Sequence, residues 1–391
     1  MSEHNGLPER PRVPRHFAIV HMEDGRIQVR GARKTVMLGG KSVKAVGRLL
    51  ELMDGTRSLA EIVGEFPDVP EDEVHTTIAR LRDRGLVEDA AADEVTTKGA
   101  PGPQHEARLY EARQYEAQMA LFGVTARSGK KAAQEALKGS RVAVFGLGRV
   151  GASVVDALAR AGVGGITGVD GGEVDVSLPS SGCLYHYEDV GRPRAQAVAD
   201  RLLQINPSVV FESAALDLLD GDAVGRVVRR SSLVLVCCDG PEVAAYREVN
   251  AASVVEGVPW LKVAVDGLEA HLGPTVIPGE TACWTCYELR TRANWTYYDE
   301  NMAFEEYLAK EHAKVDYGGL AAISGLVGNL AALEAVKILT GFMPPLTCGR
   351  FYTFRIADFE LQPHRVMKLP RCPTCGIVAL EPKKALWSLE E

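Results

Sequence analysis

Cysteine is scarce, positive charge is not in excess, and no apolar run continues unbroken for the length of a membrane span. The 391-residue chain has eight cysteines, too few at that length for a disulfide scaffold. Its opening, MSEHNGLPERPRVPRHF, lacks the apolar core that a signal peptide needs. The expected compartment is therefore the reducing cytoplasm. With 44 Lys and Arg against 52 Asp and Glu, the net charge is −8, which disfavours a general electrostatic grip on nucleic acid. The longest apolar stretch, Leu320 to Leu339, is interrupted by Gly325, Gly328, Asn329, Glu334 and Lys337. It reads as a buried amphipathic helix, so no membrane span is expected. What remains is globular in composition, 46% hydrophobic and 25% charged, and at roughly 150 residues per domain the length suggests two to three domains.

A stretch rich in small residues, Gly and Pro, AAADEVTTKGAPGPQHE, divides the chain and predicts a linker over 91–106 between domains at 1–90 and 107–391. The first domain has three short strand patterns, FAIVH, RIQVR and TVML. Three helices follow. One runs from Ser42 to Met53, one starts at Ser58 with Glu61 completing a capping box, and one starts after Pro70 with Val74, Ile78, Leu81 and Leu86 as its apolar stripe. This is the layout of a winged helix-turn-helix. Its strand half is basic: residues 10 to 48 hold ten Lys or Arg against Glu23 and Asp24. The helical half is acidic, and the third helix opens Glu71-Asp72-Glu73, which would face phosphates unfavourably if it entered a DNA groove.

The second domain begins with a polar helix pattern, Glu106 to Leu121, and then alternates strand, glycine turn, helix and strand. Gly146, Gly148 and Gly151 form a GxGxxG after the apolar strand Val142 to Phe145, and Asp170 ends the next strand. In that context the glycines let a phosphate approach a helix N-terminus, and the carboxylate can accept from ribose hydroxyls. Two CxxC knuckles, Cys283/Cys286 and Cys372/Cys375, together supply the four thiolates of a tetrahedral structural zinc site. The metal would tie the end of the chain to the centre of the domain. The remaining cysteines, Cys183, Cys237, Cys238 and Cys348, sit in apolar or small-residue surroundings and read as packing residues.

From about Tyr110 to Gly376 the chain resembles the ThiF/MoeB family, the adenylating relatives of ubiquitin-activating enzymes. The resemblance rests on GLGRVG, Val169-Asp170, VGRPRA, Ile205-Asn206-Pro207, Cys238-Asp239, both knuckles and the helix GGLAAISGLVGNLAALEAVKILTG. It implies a doubly wound α/β Rossmann-like domain, a structural zinc, a homodimer and, in active members, ATP-driven adenylation of a C-terminal carboxylate. Adenylation requires cations and magnesium around a triphosphate. Here the family's SNLxRQ segment corresponds to Ser177 to Gly182, with Leu178 in the asparagine place and Ser181 in the arginine place. The lysine of VGxxKA is Arg194, the arginine supplied across the dimer corresponds to Ala117, and Arg149 replaces a glycine. Only Asp170 and Asp239 persist, so ATP and magnesium use is expected to be weak or lost, and no catalytic residue is assigned.

The first domain resembles the PqqD-like element that binds leader peptides of ribosomally made, modified peptides. By that resemblance Thr35, Val36, Met37 and Leu38 form a strand edge for an added peptide strand. His75, Ile78, Leu81 and Arg82 would line the adjacent groove, although Val36, Leu38, Ile78 and Leu81 can equally be core. The combined expectation is a leader-binding partner that presents an azoline- or thiopeptide-type precursor to a YcaO-type cyclodehydratase. The alternative is an ATP-dependent enzyme that adenylates a peptide carboxylate.

Overall fold

The computed structural model describes residues 7–31, 34–91, 110–111, 113–125, 129–181, 184–216, 218, 220–237, 243–311 and 318–376. The chain forms two compact units, residues 1–120 and 121–391. That division falls later than the expected boundary, and all of the expected linker after Ala91 lies outside the described residues. Of the polar helix expected from Glu106 to Leu121, residues 106–109 are also outside, and the described helix α4 spans Glu116–Thr125.

In the first unit, β1 (Pro11–Arg12) pairs antiparallel with β5 (Glu88–Asp89). Strands β2 (Ala18–His21), β3 (Ile27–Arg30) and β4 (Thr35–Leu38) make an antiparallel sheet in that order. The three helices are α1 (Val43–Leu52), α2 (Leu59–Gly64) and α3 (Glu71–Asp83). The capping box forms as its spacing predicts: Ser58 Oγ accepts from Glu61 N at 3.3 Å, and Glu61 Oε2 accepts from Ser58 N at 2.7 Å. Ile27 and Val29 from β3 meet Leu49, Leu50, Ile62, Val74, Ile78 and Leu81 in one core. The alternation of the sheet sends Val36 and Leu38 toward that core and leaves Thr35 and Met37 exposed.

The second unit is built on an eight-stranded sheet. Its strands are β6 (Arg141–Phe145), β7 (Gly165–Val169), β8 (Val210–Ala214), β9 (Leu233–Val236), β10 (Trp260–Asp266), β11 (Glu269–Val276), β12 (Arg350–Arg355) and β13 (Glu360–Arg365). Their order is β13-β12-β11-β10-β9-β6-β7-β8. The run from β8 to β10 is parallel and the rest antiparallel. All of β7 and β9 is buried, because helices cover both faces, which is why these strands are apolar throughout instead of alternating. Helices α5 (Lys130–Lys138), α6 (Arg149–Ala161), α7 (Leu178–Ser181), α8 (Arg194–Ile205), α9 (Gly221–Arg229) and α10 (Val243–Glu256) connect the parallel half. Helices α11 (Trp284–Arg292), α12 (Tyr298–Glu311) and α13 (Ala321–Thr340) come between β11 and β12. The chain moves from β6 outward to β8 and then returns to β9 on the other side of β6, so the strand order reverses at the carboxyl ends of β6 and β9. Such a switch point opens a crevice for ligand.

By length and composition alone α13 could cross a membrane, but one face packs tightly on α6. A Cβ on Gly328 would lie 2.4 Å from Ser153 Cβ and 3.0 Å from Val150 O. The charges expected to break the run are used internally. Glu334 and Lys337 form a buried pair at 2.6 Å, and the second Glu334 oxygen accepts from Leu346 N, Thr347 N and Thr347 Oγ1.

Candidate nucleotide crevice and metal centre

At the end of β6 the chain turns through Gly146 with φ +87, a left-handed backbone that glycine adopts without steric cost. Gly148 is the N-cap of α6. Gly151 closes the motif by close approach, since a Cβ there would lie 1.8 Å from Gly146 O. The loop therefore has the geometry its spacing predicts, with Tyr185 Oη donating to Leu147 O beneath it.

Asp170 follows β7. Its Oδ2 accepts from Leu147 N at 2.7 Å and its Oδ1 from Gly172 N at 2.7 Å. Arg194 Nη1 donates to Asp170 Oδ2 at 3.3 Å, Arg194 Nε donates to Glu173 O at 2.9 Å, and Nη2 lies 3.6 Å from Asp175. The carboxylate that would receive ribose hydroxyls and the cation that would stand near phosphate are thus paired with each other, and both are largely buried. Arg149 Nη1 donates to Gly318 O at 3.0 Å, at the approach to α13. Leu178, in the family's asparagine place, is packed into the core, and Ala117 is exposed. Asp239 and Cys238 lie outside the described residues, as do Cys183 and the side chain of Ser181. Asn206 of the INP motif is buried, and its Nδ2 donates to Ala159 O at 2.8 Å, so it joins the ends of α8 and α6.

The four knuckle cysteines converge, with all four Sγ atoms within 4.8 Å of one another. Cys283 Sγ is 3.9 Å from Cys286 Sγ and 3.6 Å from Cys372 Sγ, and Cys286 Sγ is 3.5 Å from Cys375 Sγ. A metal with bonds of about 2.3 Å to four tetrahedral sulfurs sets them roughly 3.8 Å apart, whereas a disulfide needs about 2.05 Å. The second knuckle requires its final glycine, because a Cβ on Gly376 would lie 2.5 Å from Cys372 O. Gly376 N in turn donates to that carbonyl at 2.9 Å. The donor set and its spacing fit a tetrahedral metal ion. Cys237 is buried in the core, as expected of a packing residue.

In the first unit the sequence left open which groove residues belong to the core, and the packing decides two of them. Ile78 and Leu81 are buried among Ile27, Leu50 and Val74, since the apolar stripe of α3 is the face the sheet must cover. Neither offers a side chain to a bound peptide. His75 is largely buried beside Glu71, and Arg82 is half-buried and bonded to Asp83. Among the described residues the strand β4 is an edge, pairing with β3 alone. Gly31 N donates to Lys34 O across the hairpin. By antiparallel alternation the pairs Arg30–Thr35 and Gln28–Met37 are then the non-hydrogen-bonded ones. The backbone N–H and C=O of Thr35 and Met37 accordingly point to the open edge.

A doubly wound sheet with a glycine loop, an aspartate after the second strand and a four-cysteine cluster defines a nucleotide-fold protein of the adenylating type. The chain belongs to the ThiF family, whose pattern matches residues 115–375. It is 33% identical over 270 residues to the protein HesA of Leptolyngbya boryana, covering 68% of this chain and 86% of that one. It is 29% identical to the molybdopterin-synthase adenylyltransferase of Escherichia coli, covering 62% and 90%. Among solved structures, E. coli MccB crystallised with MccA-N7isoASN superposes with a TM-score of 0.69 at 18% identity, covering 94% of this chain and 99% of MccB. PaaA gives 0.69 at 20% identity, covering 90% and 99%. Coverage that high requires the first unit as well as the second, so the likeness in fold is not confined to the ThiF domain.

Proposed function

We propose that this chain is a peptide-binding member of the ThiF family that captures a leader peptide on β4 and adenylates weakly or not at all. The observation that carries the reading is the free edge at Thr35 and Met37, where two residues present outward backbone groups next to exposed side chains. A peptide strand added there gains main-chain hydrogen bonds, and the basic strand half suits an acidic leader. Solved structures of the fold neighbour MccB contain MccA, which supports a peptide as the class of partner. In the second unit, the Asp170–Arg194 pair and Leu178 in the core leave the crevice short of free cations for a triphosphate, and Ala117 stands where active family members supply an arginine across the dimer. The protein then acts through effective concentration, holding an azoline- or thiopeptide-type precursor for a YcaO-type cyclodehydratase. The knuckles hold zinc as a structural ion. A stripe on α13, Ala322, Leu326, Asn329 and Leu333, is exposed at helical spacing and suits a second copy of the chain.

The test is binding of labelled acidic leader peptides to the full chain, followed by fluorescence anisotropy, with carboxylate-dependent ATP–pyrophosphate exchange measured alongside. Saturable peptide binding with exchange at background is expected. Robust exchange would overturn the scaffold reading in favour of an adenylating enzyme, which the intact Gly146–Gly148–Gly151 loop and the adenylyltransferase relatives support. Absence of binding to any leader removes the recognition role.

A further inference from the structure

Outside the crevice and the knuckles, the second unit contains a cavity of about 250 Å³ between α10, β10, β11, α11 and α12. No residue singled out from the sequence as a nucleotide, metal or peptide ligand lines it. On its wall is Lys262, in the middle of β10. Its Nζ lies 5.3 Å from the ring centres of Tyr246 and Trp284 and 6.0 Å from that of Tyr287. Three aromatic faces stabilise a cation, but they accept no conventional hydrogen bond. Among the described residues Lys262 has no hydrogen-bond acceptor.

The other polar groups of the cavity have a consistent sense. Glu288 and Glu305, which line it, are both held by Arg292 at 3.1 and 2.5 Å, and Glu288 also by Arg247 at 2.6 Å. Trp284 Nε1 and Arg292 Nε are donors with no acceptor among the described residues, and both are enclosed by the walls behind the cavity surface. Burial first, and then the charge of nearby Lys262, push His271 down to about 4, so it is neutral at physiological pH. Asp266 stands at the end of β10 and acts on Lys262 by charge alone. The cavity thus offers an ammonium between aromatic walls, with Glu288 and Glu305 held by arginines and Asp266 standing exposed at the end of the strand. A ligand that completes this set brings acceptor oxygens with negative charge.

Position specifies the ligand further. In the register of the sheet Lys262 stands opposite Val236, and Val236 stands opposite Phe145. Lys262 is therefore in the row of residues that immediately precedes Gly146 and Asp170, two strands or about 10 Å along the sheet from β6. The volume suits one or two amino-acid side chains and is below the usual range for a whole small-molecule cofactor.

We propose that this cavity is a carboxylate subsite that takes an acidic residue of a bound peptide, with Lys262 as its anion partner. The peptide as occupant rests on the peptide-binding reading above. The carboxylate chemistry rests only on the cavity.

The test uses the full chain and competitive labelling of lysines with acetic anhydride, read residue by residue by mass spectrometry. The probes are Ac-Gly-Glu-Gly-NH2, its glutamine analogue, and free glutarate. The glutamate peptide is expected to slow labelling of Lys262 about tenfold, the scale of one charge-assisted hydrogen bond, while the glutamine peptide does not. Equal protection by the glutamate and glutamine peptides, or by neither, overturns the carboxylate assignment. Better protection by glutarate than by the peptide overturns the peptide occupant. Lys262→Met should abolish the change in tryptophan fluorescence on adding the glutamate peptide, and unchanged fluorescence titration would also overturn the proposal. The labelling experiment needs no variant, so a folding defect in Lys262→Met leaves it decisive. Met37→Pro separates the two readings: if this variant binds leader as the natural chain does while the glutamate peptide still protects Lys262, the recognition edge falls and the subsite stands.

Discussion

The knuckle cluster and the glycine crevice lie in the same unit, and both were readable as motifs, but their chemical groups end in opposite states. Among the described residues the four sulfurs turn toward one another with no cationic side chain between them, an arrangement that fits a metal ion. Asp170 and Arg194 are also brought together, but there the protein completes itself, with carboxylate, guanidinium and two backbone amides satisfying one another. Spacing in a sequence shows that groups converge. It does not show whether they converge on a ligand or on each other.

The largest expected effect lies on the metal side of this contrast. Cys372→Ser should remove the ion, measured as metal per chain, and destabilise the second unit by about 4 kcal/mol in denaturant unfolding, the scale of losing a structural metal. If Cys372→Ser keeps both its metal and its stability, the sulfurs are not a closed tetrahedral site. Next in size is Gly151→Ala. With a Cβ 1.8 Å from Gly146 O, the helix and loop must separate, at a cost of about 2 to 3 kcal/mol. A neutral result would mean that the glycine loop is not held as closely as it stands.

A smaller change tests the self-completed pair. Arg194→Ala leaves Asp170 with its two backbone donors, so the loss should be about 1 kcal/mol, as for a partly buried ion pair with other partners present. Exchange of pyrophosphate should stay at background in this variant. A rise in ATP affinity on removing Arg194 would show that the pair had been blocking a competent crevice.

Lys262 can be tested by titration without any substitution. Desolvation lowers its pKa to about 8, with Asp266 acting in the opposite direction. Its acylation rate should rise with a midpoint near that value, below the range of ordinary lysines. Because the folded value is below the unfolded one, the folded state holds fewer protons between the two. Stability from this group should therefore increase as pH rises from about 8 toward the unfolded lysine pKa. A midpoint in the usual lysine range would show that the aromatic cage is open to water.

Much of this architecture was legible in the sequence, and the parts that were not have a common cause. The three strands and three helices of the first unit, the capping box at Ser58, the glycine turn and the sulfur cluster all follow from local periodicity, steric need or fixed ligand spacing. The fate of Ile78 and Leu81 did not, because alternate residues of α3 can face core or groove until the sheet is placed on it. The Asp170–Arg194 contact joins residues 24 apart through a loop that no periodicity describes. Lys262 carried one signal, a lysine inside the apolar strand Trp260-Leu261-Lys262-Val263-Ala264-Val265. Without the aromatic residues of α10 and α11 beside it, that signal has no partner to give it meaning.

The smallest effect on stability is expected at the edge of the first unit, where two adjacent substitutions should differ. Val36 is in a hydrogen-bonded pair with Val29, so Val36→Pro removes a ladder bond as well as packing and should cost about 3 kcal/mol. Met37 directs its N–H to the open edge. Proline is tolerated at such a position, the preceding Val36 already has the extended conformation that proline favours, and Met37→Pro should cost less than about 1 kcal/mol. For leader binding the order reverses in importance: the folded Met37→Pro protein should lose it, because the donor that would meet the peptide backbone is gone. If Met37→Pro binds leader as the natural chain does, the peptide is not added as a strand to β4. If Val36→Pro is as stable as Met37→Pro, the register that sets the outward groups is wrong.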